Sequence, residues 1–226
     1  MTKAINTKTK TFYSRVLAFA KKTIKESADK EIASSTESIN QGGLGTIRYY
    51  LDRKNERKMD KGEITLDQAK AIALERMANQ VKAAAEKTLA KLSTASGTLE
   101  LPEAIRIDIE WRKTRMWGNC PTAEVWAGGC YTTSKLSSGC GFDKESTVTA
   151  NCFNDNPAFA RIVAACAYLD SLEGTRTYGY YFSHNGAIFE GAVGFNCHQG
   201  IIERAGYELT GQFHPTTADG YRFKLK

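Results

Sequence analysis

The chain has 226 residues, 42% of them hydrophobic and 25% charged, and a formal net charge of +6. This composition is typical of globular proteins and excludes a chain that is disordered throughout. The first apolar run, Val16 to Ala20, is too short for a secretion signal, and no segment approaches the ~20 apolar residues of a membrane-spanning helix. We therefore expect a soluble, cytoplasmic protein with no membrane partner.

Positive charge is concentrated in the N-terminal part of the chain. Residues 1–100 hold 19 Lys and Arg against 12 Asp and Glu, whereas residues 101–226 hold 12 against 13. This asymmetry is typical of a cationic appendage that binds nucleic acid, and a solvated helical face produces the same excess. Charge by itself leaves both interpretations open.

The first two predicted helices flank a glycine-rich break. Apolar residues at steps of three and four form one stripe between Phe12 and Ile24, which indicates the first helix. The segment Gln41–Gly45 interrupts this pattern with three glycines. We expect one short basic helix to follow, Thr46–Lys58. Its candidate nucleic-acid contacts are Arg48, Arg53, Lys54, Arg57 and Lys58.

A capping box marks the start of the next helix, because Thr65 and Gln68 have the spacing at which each side chain bonds the other's backbone N–H. From Leu66 to Leu92 the chain lacks glycine and proline, and apolar residues recur at nearly heptad spacing. This stripe needs a partner: the first helix of the same chain, or the 66–92 helix of a second copy in a homo-oligomer. Its predicted members are Leu74, Ala78, Val81, Ala85, Leu89 (with Thr88) and Leu92.

A linker is indicated at Ser93–Glu103, where small residues, Gly97 and Pro102 change the composition. It separates a basic helical region, residues 1–97, from a second domain, residues 103–226. In that domain the hydrophobic period becomes two: isoleucines at 105, 107 and 109 alternate with charged residues and predict a strand buried on one face. Ala123, Val125 and Ala127 indicate a second strand.

The remaining elements complete an α+β fold. Two helices are predicted, residues 143–154 and a stronger helix that Asn156 caps and Gly174 ends, with a buried stripe from Phe159 to Leu172. Two strands joined by Asn185-Gly186, a short helix at 200–205 and a closing strand at 220–226 follow. The order ββααββαβ predicts helices on one face of a mostly antiparallel sheet.

Two segments resemble a pattern of poorly characterised bacteriophage and prophage proteins. They read IEWRKTRMWGNCPTAEV, residues 109–125, and SGCGFDKEST, residues 138–147. The shared pattern is W-x-K-[ST]-R-x-W-G-x-x-P-x-A followed by S-G-C-G-[YF]-D-K-x-S. The resemblance implies a mobile-element origin, and therefore a place in the host cytoplasm, and carries over no activity or catalytic residue.

Cys140 is the candidate nucleophile. It lies between two glycines just ahead of the predicted helix start at Asp143, where unsatisfied backbone N–H groups favour a thiolate. His184, beside the Asn185-Gly186 turn, would supply the base of a cysteine-dependent hydrolase or transferase. The alternative is a small buried thiol in a tight turn, since unpaired cysteines pack more often than they react.

No cofactor or metal is expected. The chain has no C-x-x-C pair, GxGxxG, P-loop or acidic metal cluster, and its cysteine spacing fits no structural zinc site. Cys152 and Cys166 lie on predicted apolar helix faces and are expected in the core.

A second candidate contact with nucleic acid combines cations with an aromatic ring in a loop. Planar rings and cations together stack on bases and neutralise phosphates. The residues are Arg112, Lys113, Arg115 and Trp117.

These observations favour a non-enzymatic accessory protein of phage or prophage origin that engages nucleic acid or a host nucleoprotein complex, for instance as an inhibitor of host defence. The alternatives are the Cys140–His184 enzyme and a structural protein that assembles through the 66–92 helix.

Overall fold

The computed structural model describes the chain except residues 1–5, 95, 115–117, 136–151, 154, 176–179, 190–194 and 214–217. Helices and a five-stranded antiparallel sheet confirm the predicted α+β class. The helices are α1 (Lys10–Gln41), α2 (Leu44–Tyr50), α3 (Arg53–Asp60), α4 (Leu66–Leu92), α5 (Pro157–Glu173) and α6 (Phe195–Arg204). The strands are β1 (Ala104–Thr114), β2 (Gly118–Ala127), β3 (Cys130–Lys135), β4 (Tyr180–Ser183), β5 (Gly186–Phe189), β6 (Tyr207–Phe213) and β7 (Ala218–Leu225).

The chain divides into two compact units. The sheet unit comprises Met1–Lys21, Leu89–Phe182 and Gly186–Lys226, and the helical unit comprises Lys22–Thr88 and Ser183–Asn185. The predicted boundary between 1–97 and 103–226 concerns independently folding domains and stays a prediction.

The core of the helical unit lies between α4 and the elements that precede it. The capping box forms as predicted: Thr65 N donates to Gln68 Oε1 at 2.8 Å, and Gln68 N donates to Thr65 Oγ1 at 3.2 Å. Of the predicted stripe, Val81, Thr88 and Leu92 are buried and the other members are partly buried. Within this unit α4 packs against the same chain, on Ala28, Ile39, Ile47 and Leu51. The residues of α4 in that core are Ala69, Ala73, Met77 and Val81.

The single basic helix predicted over Thr46–Lys58 is wrong, because two helices, α2 and α3, occupy this segment. Leu51 has an extended backbone, with φ −78° and ψ 151°, which ends α2. Asp52 then caps α3 with its side chain and starts a new helix. Leu51 itself is buried, so the break also anchors the segment in the core.

The large sheet has the strand order β3-β2-β1-β7-β6, and every neighbouring pair is antiparallel. Because side chains alternate along a strand, the register places one set of apolar residues on a single face. That buried set is Ile105, Ile107, Ile109, Ala123, Val125, Ala127 and Phe223. The opposite face, called here the open face, carries mostly exposed or half-exposed charged and aromatic side chains.

Two strands of this sheet, β3 and β6, are absent from the predicted order. The turn between β2 and β3 is Gly128-Gly129, and both glycines have positive φ, 54° and 77°. Two such residues are typical of a tight hairpin whose twist matches its strands. In β6 the register shifts between Leu209 and Gly211, which breaks the alternation by which a strand is recognised.

Helix α5 begins and ends as predicted. Asn156 Oδ1 accepts hydrogen bonds from Ala158 N at 3.0 Å and Phe159 N at 3.2 Å, and Gly174 ends the helix with φ 66°. Phe159 and Cys166 are buried, but the expected burial of Leu172 is wrong, since this side chain is 53% exposed.

Helix α6 packs against α5 and contacts β6. The predicted hairpin is present as a separate two-stranded sheet, with its turn one residue earlier than expected, at His184-Asn185. The predicted helix at 143–154 lies largely outside the described residues.

Candidate nucleic-acid interface

The predicted contacts of the helical unit lie on and beside α3. Asp52 caps this helix: its Oδ1 accepts hydrogen bonds from Lys54 N at 2.9 Å and from Asn55 N at 2.8 Å. These bonds, chiefly the one from the Asn55 backbone, lower the pKa of Asp52 and keep the cap ionised. In the capped helix Arg53, Lys54 and Arg57 are exposed.

Four cations of α3 form no ion pair with a described residue. Among the described residues none of these side chains lies within ion-pair distance of a carboxylate. Arg48, on α2, differs: its Nη2 lies 2.5 Å from Asp60 Oδ1, so this predicted contact is already occupied within the chain. We call the four cations the α3 cluster: Arg53, Lys54, Arg57 and Lys58.

An aromatic ring is exposed on α2. Tyr49 is 80% exposed and meets Tyr50 edge-on, with ring centroids 5.0 Å apart. The Arg48–Asp60 ion pair joins α2 to the C-terminal end of α3. A planar ring on an element linked to a cationic helix is the combination that stacks on bases while phosphates are neutralised.

The second predicted group of contacts is described only in part. Arg112 and Lys113 lie in β1, where their backbones pair with Cys120 and Asn119 of β2. Arg115 and Trp117 lie outside the described residues. All four therefore stay predictions.

The sheet unit carries another cationic and aromatic surface, on the open face. Arg106 pairs with Trp126 on one side and Arg222 on the other, and Trp126 pairs with Tyr131. These four side chains, called here the sheet row, therefore cross four neighbouring strands. Trp126 and Tyr131 are each 45% exposed, and their ring centroids lie 4.3 Å apart.

One carboxylate orients both guanidinium groups of the sheet row. Asp108 Oδ2 accepts a hydrogen bond from Arg106 Nε at 2.6 Å, and its Oδ1 accepts one from Arg222 Nη1 at 2.9 Å. Arg222 Nη1 also donates to the carbonyl oxygens of Ile107, at 3.3 Å, and Tyr221, at 3.0 Å. These bonds hold the two cations against the open face.

A depression of 430 Å³ lies along the sheet row. Its described lining includes three cationic side chains, one carboxylate and the indole ring of Trp126. The Gly128-Gly129 turn forms part of its rim, and a Cβ added at Gly128 would lie 3.0 Å from Pro102 Cβ. The charged and aromatic lining residues are Glu103, Arg106, Trp126, Arg222 and Lys224.

The sheet row was not among the predicted contacts, although one signal for it stands in the sequence. The pair Gly128-Gly129, between Trp126 and Tyr131, is favoured in two-residue hairpins. Such a hairpin would have placed the two aromatic residues opposite each other. The pairing of Arg106 with both neighbours has no local signal, since it depends on contacts between distant segments.

The described part of the structure does not test the predicted Cys140–His184 pair. His184 Nδ1 lies 3.2 Å from Ser27 Oγ, within the helical unit. Cys140 lies outside the described residues, so the catalytic pair stays a prediction.

The buried thiols and the buried imidazole of the described part belong to the core. Cys152 and Cys166 are buried as predicted, and burial raises the pKa of Cys152. His198 is fully buried beside Phe153, with ring centroids 4.4 Å apart. In the described part of the chain no three His, Cys, Asp or Glu side chains gather in a geometry that would hold a metal ion. No helix in that part is both long and apolar enough to cross a membrane.

Comparison of the chain with protein-family models, with curated proteins and with solved structures finds no match.

Proposed function

We propose that this protein binds nucleic acid, free or within a host nucleoprotein complex, and that the α3 cluster makes the phosphate contacts. The observation that carries the proposal is the clustering of four cations on one helix, with no carboxylate of a described residue within 4.0 Å of their charged side-chain groups. Cations that are not engaged in ion pairs attract a polyanion, and the polyanion releases counterions on binding.

The distribution of charge along the chain supports the same proposal. Residues 1–100 carry 19 Lys and Arg against 12 Asp and Glu. The described ion pairs of the helical unit are few and exposed: Lys22–Glu26, Arg48–Asp60 and Lys61–Glu63. Lys22–Thr88 holds 13 Lys and Arg against 11 Asp and Glu, and three of these cations lie in an ion pair between described residues. For a phage-encoded chain, such binding would serve to inhibit a nucleoprotein complex of host defence.

The test is binding of the full chain to a labelled duplex and a labelled single strand, measured by fluorescence anisotropy over a series of salt concentrations. Replacing all four residues of the α3 cluster with glutamine should weaken binding to both ligands. It should also reduce the dependence of log K on log salt by up to about 3.6 for the duplex, since each of the four phosphate contacts contributes about 0.9.

A matched control changes the net charge equally at other exposed positions of the helical unit. It replaces Lys25, Lys30, Lys82 and Lys87, which are exposed, with glutamine. This control should retain most of the affinity. The proposal is wrong if the full chain shows no salt-sensitive binding, or if the control loses as much affinity as the α3 variant.

A further inference from the structure

The depression on the open face has the charge of an anion site. Three of its described lining residues are cationic, Arg106, Arg222 and Lys224, against one carboxylate, Glu103. Arg106 and Lys224 are exposed, so a ligand reaches them from solvent. Arg106 uses its Nε for Asp108, and neither of its Nη groups donates to another described residue. A fork of donors held in this way is preorganised for a phosphate.

The other wall of the depression is a flat aromatic surface. Trp126 lies directly opposite Arg106 in the register of β1 and β2 and is 45% exposed. Tyr131 packs against it with an interplanar angle of 42°, which supports the indole from the β3 side. An indole with an exposed side next to a guanidinium binds a planar ring through stacking, and the guanidinium adds polar contacts at the ring edge.

We propose that this depression binds one nucleotide unit of a single-stranded nucleic acid. The base stacks on Trp126, and the phosphate contacts Arg106 and Lys224. The volume of 430 Å³ lies within the range of ordinary small-ligand sites. A single strand is the occupant because its unpaired bases leave one face free for the indole and its phosphates match the cationic lining. In a duplex each base is already stacked and paired, and its face is not accessible to the indole.

This inference takes from the proposed function only the class of polymer that is bound. Its residues belong to the sheet unit, whereas the α3 cluster belongs to the helical unit. The two proposals can therefore be tested separately. The α3 variant should weaken single strand and duplex alike, whereas changes in the depression should weaken the single strand alone.

The experiment compares Trp126→Leu, Trp126→Phe and Arg106→Gln in the full chain, with the labelled single strand, the labelled duplex and free adenosine monophosphate as ligands. Trp126→Leu should weaken single-strand binding about tenfold, as expected for the loss of one stacked base, and leave duplex binding unchanged. Trp126→Phe keeps a ring and should retain most of the affinity. Arg106→Gln, at an exposed position that should not affect folding, should weaken single-strand binding several-fold.

The outcomes decide the proposal. Equal affinities of wild type, Trp126→Leu and Arg106→Gln for the single strand would overturn it, as would an equal loss for single strand and duplex. A loss confined to adenosine monophosphate would also overturn it, and would make the depression a mononucleotide pocket. If the α3 variant binds normally while Trp126→Leu fails on the single strand, the assignment of the phosphate contacts to the α3 cluster fails and this inference stands.

Discussion

Asp170 and Arg204 form an ion pair that links α5 to α6, with Arg204 Nε 2.8 Å from Asp170 Oδ1. The carboxylate side chain is 6% exposed and the guanidinium side chain 23% exposed. A second carboxylate, Glu173, lies 3.0 Å from Arg204 Nη2 but is 49% exposed. One cation is thus held by a buried partner and by a solvated one.

Replacing Asp170 with asparagine should therefore destabilise the fold more than replacing Glu173 with glutamine. Removal of one partner of a buried pair leaves a desolvated charge behind, and the partial exposure of Arg204 reduces that penalty to about 1–3 kcal/mol. The exposed partner should contribute less than about 1 kcal/mol. Urea unfolding of both variants measures the two losses, and equal losses would contradict this assignment.

Local signals explain why much of the fold was predictable. The cap at Asn156 and the capping box of Thr65 with Gln68 each depend on residues at most three positions apart. The isoleucine alternation of β1 likewise fixes its buried face without knowledge of its neighbours. Such short-range patterns determined the α+β class and the ends of α4 and α5, whereas α6 begins at Phe195, five residues before the helix predicted at 200–205.

The failures occurred where local preferences compete or where distant segments meet. At Asp52 a side-chain cap and an extended Leu51 divide what its helical composition predicts as one helix. At Thr210 an extra residue hides the alternation of β6. The sheet row joins segments near residues 106, 126, 131 and 222, and its register is set by the whole sheet.

The buried phenol of Tyr207 should make the protein less stable at alkaline pH. Its hydroxyl donates to Pro102 O at 2.7 Å, the side chain is 1% exposed, and burial raises its pKa above the ordinary value of 10.0. The folded state therefore keeps the proton while the unfolded chain loses it. The contribution of this phenol to the free energy of unfolding is therefore complete below about pH 10 and decreases as the pH rises further.

Urea unfolding between pH 7 and pH 11 should show this decrease in the wild type. Tyr207→Phe should lose about 1 kcal/mol at neutral pH, because the carbonyl of Pro102 loses its donor, and should then decline less steeply above pH 10. Tyr49→Phe serves as the control, since Tyr49 is 80% exposed, and it should follow the wild-type curve. If the free energy of unfolding decreases equally with pH in wild type and Tyr207→Phe, the phenol does not cause the loss of stability at alkaline pH.

The thiols should separate by reactivity, which also tests the enzymatic alternative. Cys152 is 1% exposed and its Sγ lies 3.2 Å from the carbonyl oxygen of Thr132, and burial raises its pKa above the ordinary value of 9.0. Iodoacetamide should therefore leave Cys152 unlabelled at pH 7 until the chain is unfolded in urea. Cys130, which is partly exposed, should be labelled earlier and serves as the internal reference.

If Cys140 is the activated nucleophile that the sequence predicts, it should be labelled faster than Cys130 at neutral pH. Mass spectrometry of the individual peptides measures the two rates. If Cys140 reacts only at alkaline pH, the hydrolase or transferase alternative is excluded.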